Sequence, residues 1–223
     1  MDNCVRRFLD IVGAITGLLL SSILFLVLPF LIKLDSRGPV FYTQLRVGKN
    51  RRKHERRCIT IEMTKNRRNG ERRKMHSYGK PFVIYKFRTM KEEAEKKCGP
   101  VRTSDNDPRI TSIGRILRYT HLDELPQLIN ILKGDMSFVG PKPERPYFVH
   151  QWAVNIPGYS ERFKIKPGLT GLAQVKTGHG YSIECITEKL EYDLEYCQDG
   201  NVKSYFKILL MTLVKSAIGT SKL

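Results

Sequence analysis

From Ile11 to Leu34 the chain reads IVGAITGLLLSSILFLVLPFLIKL, apolar apart from Thr16, Ser21, Ser22 and Lys33. That is about the length a membrane helix needs. It is too long for the apolar part of a cleaved signal peptide, and no small-residue cleavage site precedes the return of charge. Arg6 and Arg7 stand before the run, and Lys33, Arg37, Arg46 and Lys49 stand at its end or beyond. Basic flanks favour the cytoplasmic side, and one way to satisfy both is for the segment to enter the bilayer, turn near its middle and return to the same face. Ser21-Ser22 lies at that middle, where a hydroxyl can bond a backbone group that a kink frees and hydrocarbon cannot satisfy. Pro29 offers a second break. The expectation is a re-entrant segment over residues 1–36 with Ser22 and Pro29 as kink residues; the alternative is a single-pass anchor.

The remaining 37–223 are enough for one good core, and so for one main domain with appendages. Five cysteines, an odd number with no metal-binding spacing, fit a reducing cytosol. None of His54, His76, His121, His150 and His179 is spaced as part of a ligand pair, which argues against zinc. A net charge of +17 calls for a polyanionic partner: nucleic acid, anionic lipid or a phosphorylated substrate. Much of that charge is local, since residues 46–80 hold fourteen Lys and Arg against Glu55, Glu62 and Glu71, a balance of +11. This stretch reads either as a solvated loop or as a membrane-surface patch. Tyr78 is its only aromatic residue, too few for stacking bases, which argues against nucleic acid.

Chemistry concentrates between Thr111 and Glu144. Leu125, Leu128, Ile129 and Leu132 have the spacing of an amphipathic helix, Gly134 stands where a helix-ending glycine belongs, and Pro126 suits a first turn. Asp123 and Glu124 then sit at the helix start, where Asp123 serves as an N-cap and Glu124 complements the dipole. A second reading is that free N–H groups there hold a phosphate beside a carboxylate kept at low pKa, a plausible nucleophile. Ile113, Ile116 and Leu117 are spaced as the core face of an earlier helix, and Glu188–Tyr196 and Ser204–Ala217 read as two later ones. The last could lie in a membrane interface or pack on the core. Val40–Gln44 and Phe82–Phe87 carry the residues of two short strands that could form a hairpin. Phe138–Glu144 and Lys166–Gly171 read as a constrained loop and a glycine turn.

Five blocks in register, GPVFYTQLRVG (38–48), YKFRTM (85–90), DPRITSIGRILR (107–118), LDELPQLINILKGDMSFVGPKPE (122–144) and KPGLTGLAQV (166–175), resemble the bacterial sugar transferases, the monotopic phosphoglycosyl transferases. The resemblance spans nearly all of the chain except an insertion at 50–79. It implies a mostly helical α+β fold with a re-entrant membrane helix-hairpin, a short β-hairpin and interfacial amphipathic helices around one cytosolic catalytic domain, 37–223. It implies an enzyme that moves a phosphosugar from a UDP-sugar to a polyprenol phosphate, releasing UMP. That would be the first membrane step of glycoconjugate assembly, at the cytoplasmic leaflet of a bacterial inner membrane.

On that resemblance Asp123 is the expected nucleophile of a covalent phosphosugar intermediate, with Glu124 beside it and Mg²⁺ held by the pair. Lys86 and Arg88 suit a diphosphate by their cationic chemistry. Asp107, Arg109, Arg118, Lys142, Pro143, Glu144, Lys166, Gly168 and Gln174 complete the expected substrate contacts. The family places proline where Ile23 stands, arginine where Lys142 stands and Asn-Gly after Val175, so kink position and sugar contacts depart from its pattern. A homodimer stays open, as do the sugar and the pathway. The competing reading is a non-enzymatic membrane tether that binds nucleic acid or anionic lipid through its basic insertion; the blocks around Asp123 and Pro141 argue against it, because a tether needs neither.

Overall fold

A computed structural model describes residues 3–50, 78–92, 101, 103–104, 107–178 and 180–217. Most of the basic insertion and most of the charged run from Lys91 to Lys97 lie outside these residues. The fold is a mostly helical α+β arrangement with two short strand pairs. It divides into two compact units, one drawn from 2–44, 84–134 and 210–223, the other from 45–83 and 135–209.

In the first unit, α1 (Asn3–Leu20) and α2 (Ser22–Asp35) are separated by a single residue, Ser21. Its hydroxyl donates to the Gly17 carbonyl at 2.6 Å, alongside its own N–H at 3.0 Å. The axis bends by 59° there, and among the described residues no single helix is long and apolar enough to cross a membrane; α1 and α2 meet that requirement only as a bent pair. The break thus falls one residue before Ser22. Pro29, the other expected break, lies inside α2, which runs through it. Leu19, Leu20, Leu26 and Phe30 are 64–80% exposed, an apolar surface of the kind that marks a lipid or protein contact.

Three polar ties hold this pair to the rest of its unit, each at a helix end, where backbone groups lack intrahelical partners. Arg7 donates to the carbonyls of Ile131 and Leu132, both at 2.5 Å. Asp35 accepts from Ile113 N–H at 2.9 Å, at the start of α3 (Ser112–Tyr119). Arg88 donates to Ile32, Ser36 and Arg37 at the end of α2. Leu28, Ile32, Phe87 and Leu117 form the apolar centre between them. Ile116, expected in that centre, is 58% exposed, because neighbouring helical positions point about 100° apart and Leu117 takes the inward one.

Strands β1 (Phe41–Val47) and β2 (Pro81–Phe87) pair as expected. Bonds from Gly48 N–H to Lys80 and from Arg88 N–H to Val40 make the pairing antiparallel. After α3, a 3₁₀ turn (Leu122–Glu124) precedes α4 (Gln127–Lys133), which Gly134 ends at φ +83°.

In the second unit, β3 (Ser137–Val139) runs parallel to β4 (Gly168–Thr170), with Ser137 opposite Gly168 and Val139 opposite Thr170. Both stretches read from sequence as loop and turn. Their glycines serve instead for close strand approach: a Cβ on Gly140 would strike the backbone of Lys166 and Gly168. Around this pair lie α5 (Pro146–Asn155), a second 3₁₀ stretch (Tyr159–Lys164), α6 (Leu172–Lys176) and α7 (Ile183–Asp199). Phe148, Val149, Trp152, Tyr159, Phe163, Ile186 and Leu190 make its core. The last helix, α8 (Val202–Ala217), buries Tyr205 and Ile208 and exposes Phe206, Leu210 and Leu213, so it has both a packed face and an open apolar one.

Candidate active site

The 3₁₀ turn and β2 bring three of the expected residues together in the first unit. The Lys86 ammonium donates to Glu124 Oε1 at 2.6 Å and to Asp123 Oδ2 at 3.3 Å, bridging the two carboxylates. Neither carboxylate belongs to α4. Pro126 occupies its N-cap, so Asp123, three residues earlier, does not cap it. What turns the chain from α3 into the acidic pair is His121, at φ +57°, with its carbonyl accepting from Glu124 N–H at 3.1 Å. Histidine tolerates this left-handed conformation better than most residues, β-branched ones least.

Asp123 is 6% exposed. Burial pushes its carboxyl above the ordinary aspartate range, Lys86 and Arg118 pull it back, and Glu124 adds to the rise. The helix-terminus account predicted the opposite direction. It fails because the carboxyl sits in a buried turn before a two-turn helix, where loss of water outweighs backbone dipoles. Lys86, more than Arg118, then favours an ionised Asp123.

A second cluster stands close by. Arg109 grips Asp107 through Nε at 2.8 Å and Nη2 at 2.5 Å, and its own N–H bonds Oδ1 at 3.0 Å. These bonds hold Asp107 down to about 2 against the opposing effect of burial. Arg118 donates from Nε to Thr89 Oγ1 at 2.9 Å; burial lowers its pKa, and the charges of Asp123 and Asp107 oppose that. Lys86, Arg118, Asp107 and Arg109 therefore share one electrostatic neighbourhood with Asp123. Arg88 does not join them: it is 6% exposed and committed to the end of α2, and to touch a phosphate it would have to leave those acceptors. Ser22 and Pro29 lie in the helix pair.

The other expected residues gather in the second unit. Lys142 is exposed on a loop whose backbone is bound by two guanidinium groups, Arg162 to the Lys142 carbonyl at 3.1 Å and Arg46 to the Pro143 carbonyl at 3.0 Å. Glu144 accepts Val47 N–H at 3.0 Å through its carbonyl. Gly168 N–H bonds the Pro141 carbonyl at 2.9 Å, and Gln174 donates to Leu169 at 3.1 Å, so Lys166, Gly168 and Gln174 share a scaffold with Lys142, Pro143 and Glu144. Holding it is a buried network in which Arg162 meets Asp193 at 2.7 Å and Tyr159 Oη at 2.7 Å. Burial pushes Tyr159 up to about 12. Sequence reasoning missed Arg46, Thr89, Asn130, Tyr159, Arg162 and Asp193. Only Asn130 left a trace, as a polar residue inside an apolar helix.

Magnesium suits part of this. It is commonly held by one or two carboxylates, with phosphate and water in the remaining positions. Asp123 and Glu124 provide such a pair; among the described residues no three His, Cys, Asp or Glu are grouped for a metal, so the donors fit a phosphate-assisted site and not an all-protein cage.

Comparison with known proteins identifies the family. The profile of the family described as bacterial sugar transferase matches residues 1–67 and 58–219, two segments that meet inside the basic insertion. The UDP-glucose:undecaprenyl-phosphate glucose-1-phosphate transferase of Escherichia coli (strain K12) is 35% identical over 220 residues, covering 98% of this chain and 41% of that protein. The UDP-N-acetylgalactosamine-undecaprenyl-phosphate N-acetylgalactosaminephosphotransferase of Aeromonas hydrophila is 36% identical over 195 residues, covering 87% of this chain and 39% of that protein. The chain thus spans about two fifths of the length of these two relatives. The exopolysaccharide production protein PSS of Rhizobium leguminosarum bv. phaseoli is 38% identical over 222 residues, with 96% of each chain covered. With a profile matched over nearly its whole length and a relative matched end to end, this chain belongs to the bacterial sugar transferase family.

Proposed function

We propose that this protein is a phosphoglycosyl transferase that moves a sugar phosphate from a UDP-sugar to a polyprenol phosphate such as undecaprenyl phosphate, releasing UMP, at the cytoplasmic face of a bacterial inner membrane. The observation that carries the reading is the buried Asp123 beside Glu124, bridged by Lys86 and neighboured by Arg118. The names of the relatives supply donor and acceptor.

In the proposed reaction an oxygen of Asp123 attacks the sugar-bearing phosphorus of the donor. The bond from that phosphorus to the bridging oxygen breaks, and UMP leaves with the electron pair. An oxygen of the lipid phosphate then attacks the same phosphorus, forming a lipid diphosphate sugar and returning Asp123 as a carboxylate. Lys86 favours the ionised form of Asp123 against the effect of burial, and Arg109 and Arg118 bring positive charge to the diphosphate. Magnesium, held by Asp123 and Glu124, would neutralise charge on the phosphates.

The test is UMP release from a panel of UDP-sugars by the full chain in nanodiscs with undecaprenyl phosphate and Mg²⁺. Release with one donor and dependence on the lipid phosphate are expected; none with any donor would overturn the reading.

The bent pair α1–α2 is, in the same proposal, re-entrant. Basic flanks at Arg6–Arg7 and Lys33–Arg37, a break at Ser21 and exposed leucines on either side of it support this. Single cysteines introduced near residue 3 and near residue 120, in a chain lacking its native cysteines, are predicted to stay unlabelled by an impermeant maleimide in intact cells and to react after lysis. Labelling near residue 3 in intact cells would indicate a single pass instead.

A further inference from the structure

Asn130 is fully buried on α4, and its Oδ1 accepts a hydrogen bond from Tyr85 N–H at 3.0 Å. In an antiparallel pair alternate amides face the partner strand. Arg88 N–H faces β1, so Tyr85, three residues earlier, turns its amide to the other edge of β2, where no strand pairs among the described residues. An edge amide without a strand beside it must find another acceptor or water. Asn130 supplies one where a third strand would. Lys133, one helical turn later, holds the Tyr85 side chain as well, donating to its hydroxyl at 2.8 Å with the ammonium 4.8 Å from the ring centre. The next residue along β2 is Lys86, whose side chain leaves the opposite face of the strand and bridges Asp123 and Glu124.

We infer that Asn130 is a positioning residue: by fixing the open edge of β2 at Tyr85 it sets where the Lys86 ammonium stands against the carboxylate pair. This rests on the proposed function for its kinetic consequence and not for its structural one. Lys86 reaches Glu124 at 2.6 Å and Asp123 at 3.3 Å, so a small slide of β2 along α4 would break the bridge to Asp123 first. Displacement of about 1 Å at a reacting group can cost ~10²-fold in rate.

Three measurements test it, two of which do not need activity. Hydrogen exchange on the wild-type chain in nanodiscs should find the Tyr85 amide protected like the paired amides of β2; exchange at the rate of an exposed loop would overturn the proposal without any variant. Amine labelling of the folded protein, followed by mass spectrometry, should find Lys86 several-fold more reactive in Asn130→Ala than in wild type, and restored in Asn130→Asp, which keeps an acceptor oxygen. Unchanged Lys86 labelling in a folded Asn130→Ala protein would overturn it.

In the transfer assay Asn130→Ala should lower kcat ~10²-fold with KM for the donor changed less than about threefold. The same substitution should cost little more once Lys86→Met is present. Losses that multiply fully in the double variant would show that Asn130 acts independently of Lys86. If wild type transfers no sugar phosphate but the exchange and labelling results hold, the proposed reaction fails and the positioning role stands.

Discussion

Asp123→Asn is expected to yield a folded protein with transfer reduced by ~10³-fold or more, the scale on which removal of a nucleophile is felt. The substitution keeps size and shape, and an amide oxygen still accepts from Lys86, so the melting temperature should move little. What it removes is the negative charge and with it the attacking electron pair. Wild-type protein given UDP-sugar without lipid acceptor should carry a phosphosugar on the peptide containing Asp123, and the variant should not. Burial sharpens this expectation. Lys86 keeps its 2.6 Å contact with Glu124 in the variant, so its ammonium is not stranded when Asp123 becomes a neutral amide. If Asp123→Asn turned over near the wild-type rate, the nucleophile would have to be Glu124, or the lipid phosphate would attack the donor directly.

Arg162→Ala should be the most damaging single change in the second unit. Its guanidinium is 6% exposed and bonds Asp193, Tyr159 Oη and the Lys142 carbonyl, and Asp193 is 3% exposed. Removing one partner of a buried pair leaves the other charge without compensation and typically costs ~3–5 kcal/mol. For a chain of this length that is a fall in melting temperature of roughly 10 °C. Arg162→Met with Asp193→Asn removes both charges together and should recover much of the loss, since each replacement is close in size to the residue it replaces and no charge is stranded. Thermal unfolding in one detergent checks both; a single variant that melts within about 2 °C of wild type would show that water reaches the pair and compensates it.

The features legible in the sequence were those whose signal is local. The apolar run, the glycine at 134, the helices ending at Asp199 and Ala217 and the two strands of the hairpin are each written within one short continuous stretch of chain. The acidic pair stood out in the sequence, but not its setting. A 3₁₀ turn has no period to betray it, and the positive φ that builds it falls on His121, where nothing in residue type demands it. The pairing of β3 with β4 was hidden because three-residue strands 31 positions apart show no alternation, and their glycines resemble turn glycines. Arg162 and Asp193, also 31 positions apart, carry no local pattern that would pair them; the buried contact is visible only in the fold. Arg88 misled in the opposite sense, since a cation in a block of strong family resemblance suggested substrate when its partners are carbonyls of its own chain.

Those carbonyls matter to anyone who would make a soluble version of the catalytic machinery. Trimming the chain at residue 36 looks like removal of an anchor. It would also strip the acceptors from Arg88 at Ile32 and Ser36, the carboxylate from the first turn of α3 and the guanidinium from the carbonyls of Ile131 and Leu132. All three stumps border the segments that carry Arg118, Asp123 and Asn130. A graft that swaps in a foreign membrane segment therefore has to reproduce an arginine near position 7 and an aspartate near position 35, at matching helical phase, before hydrophobic length becomes the deciding variable.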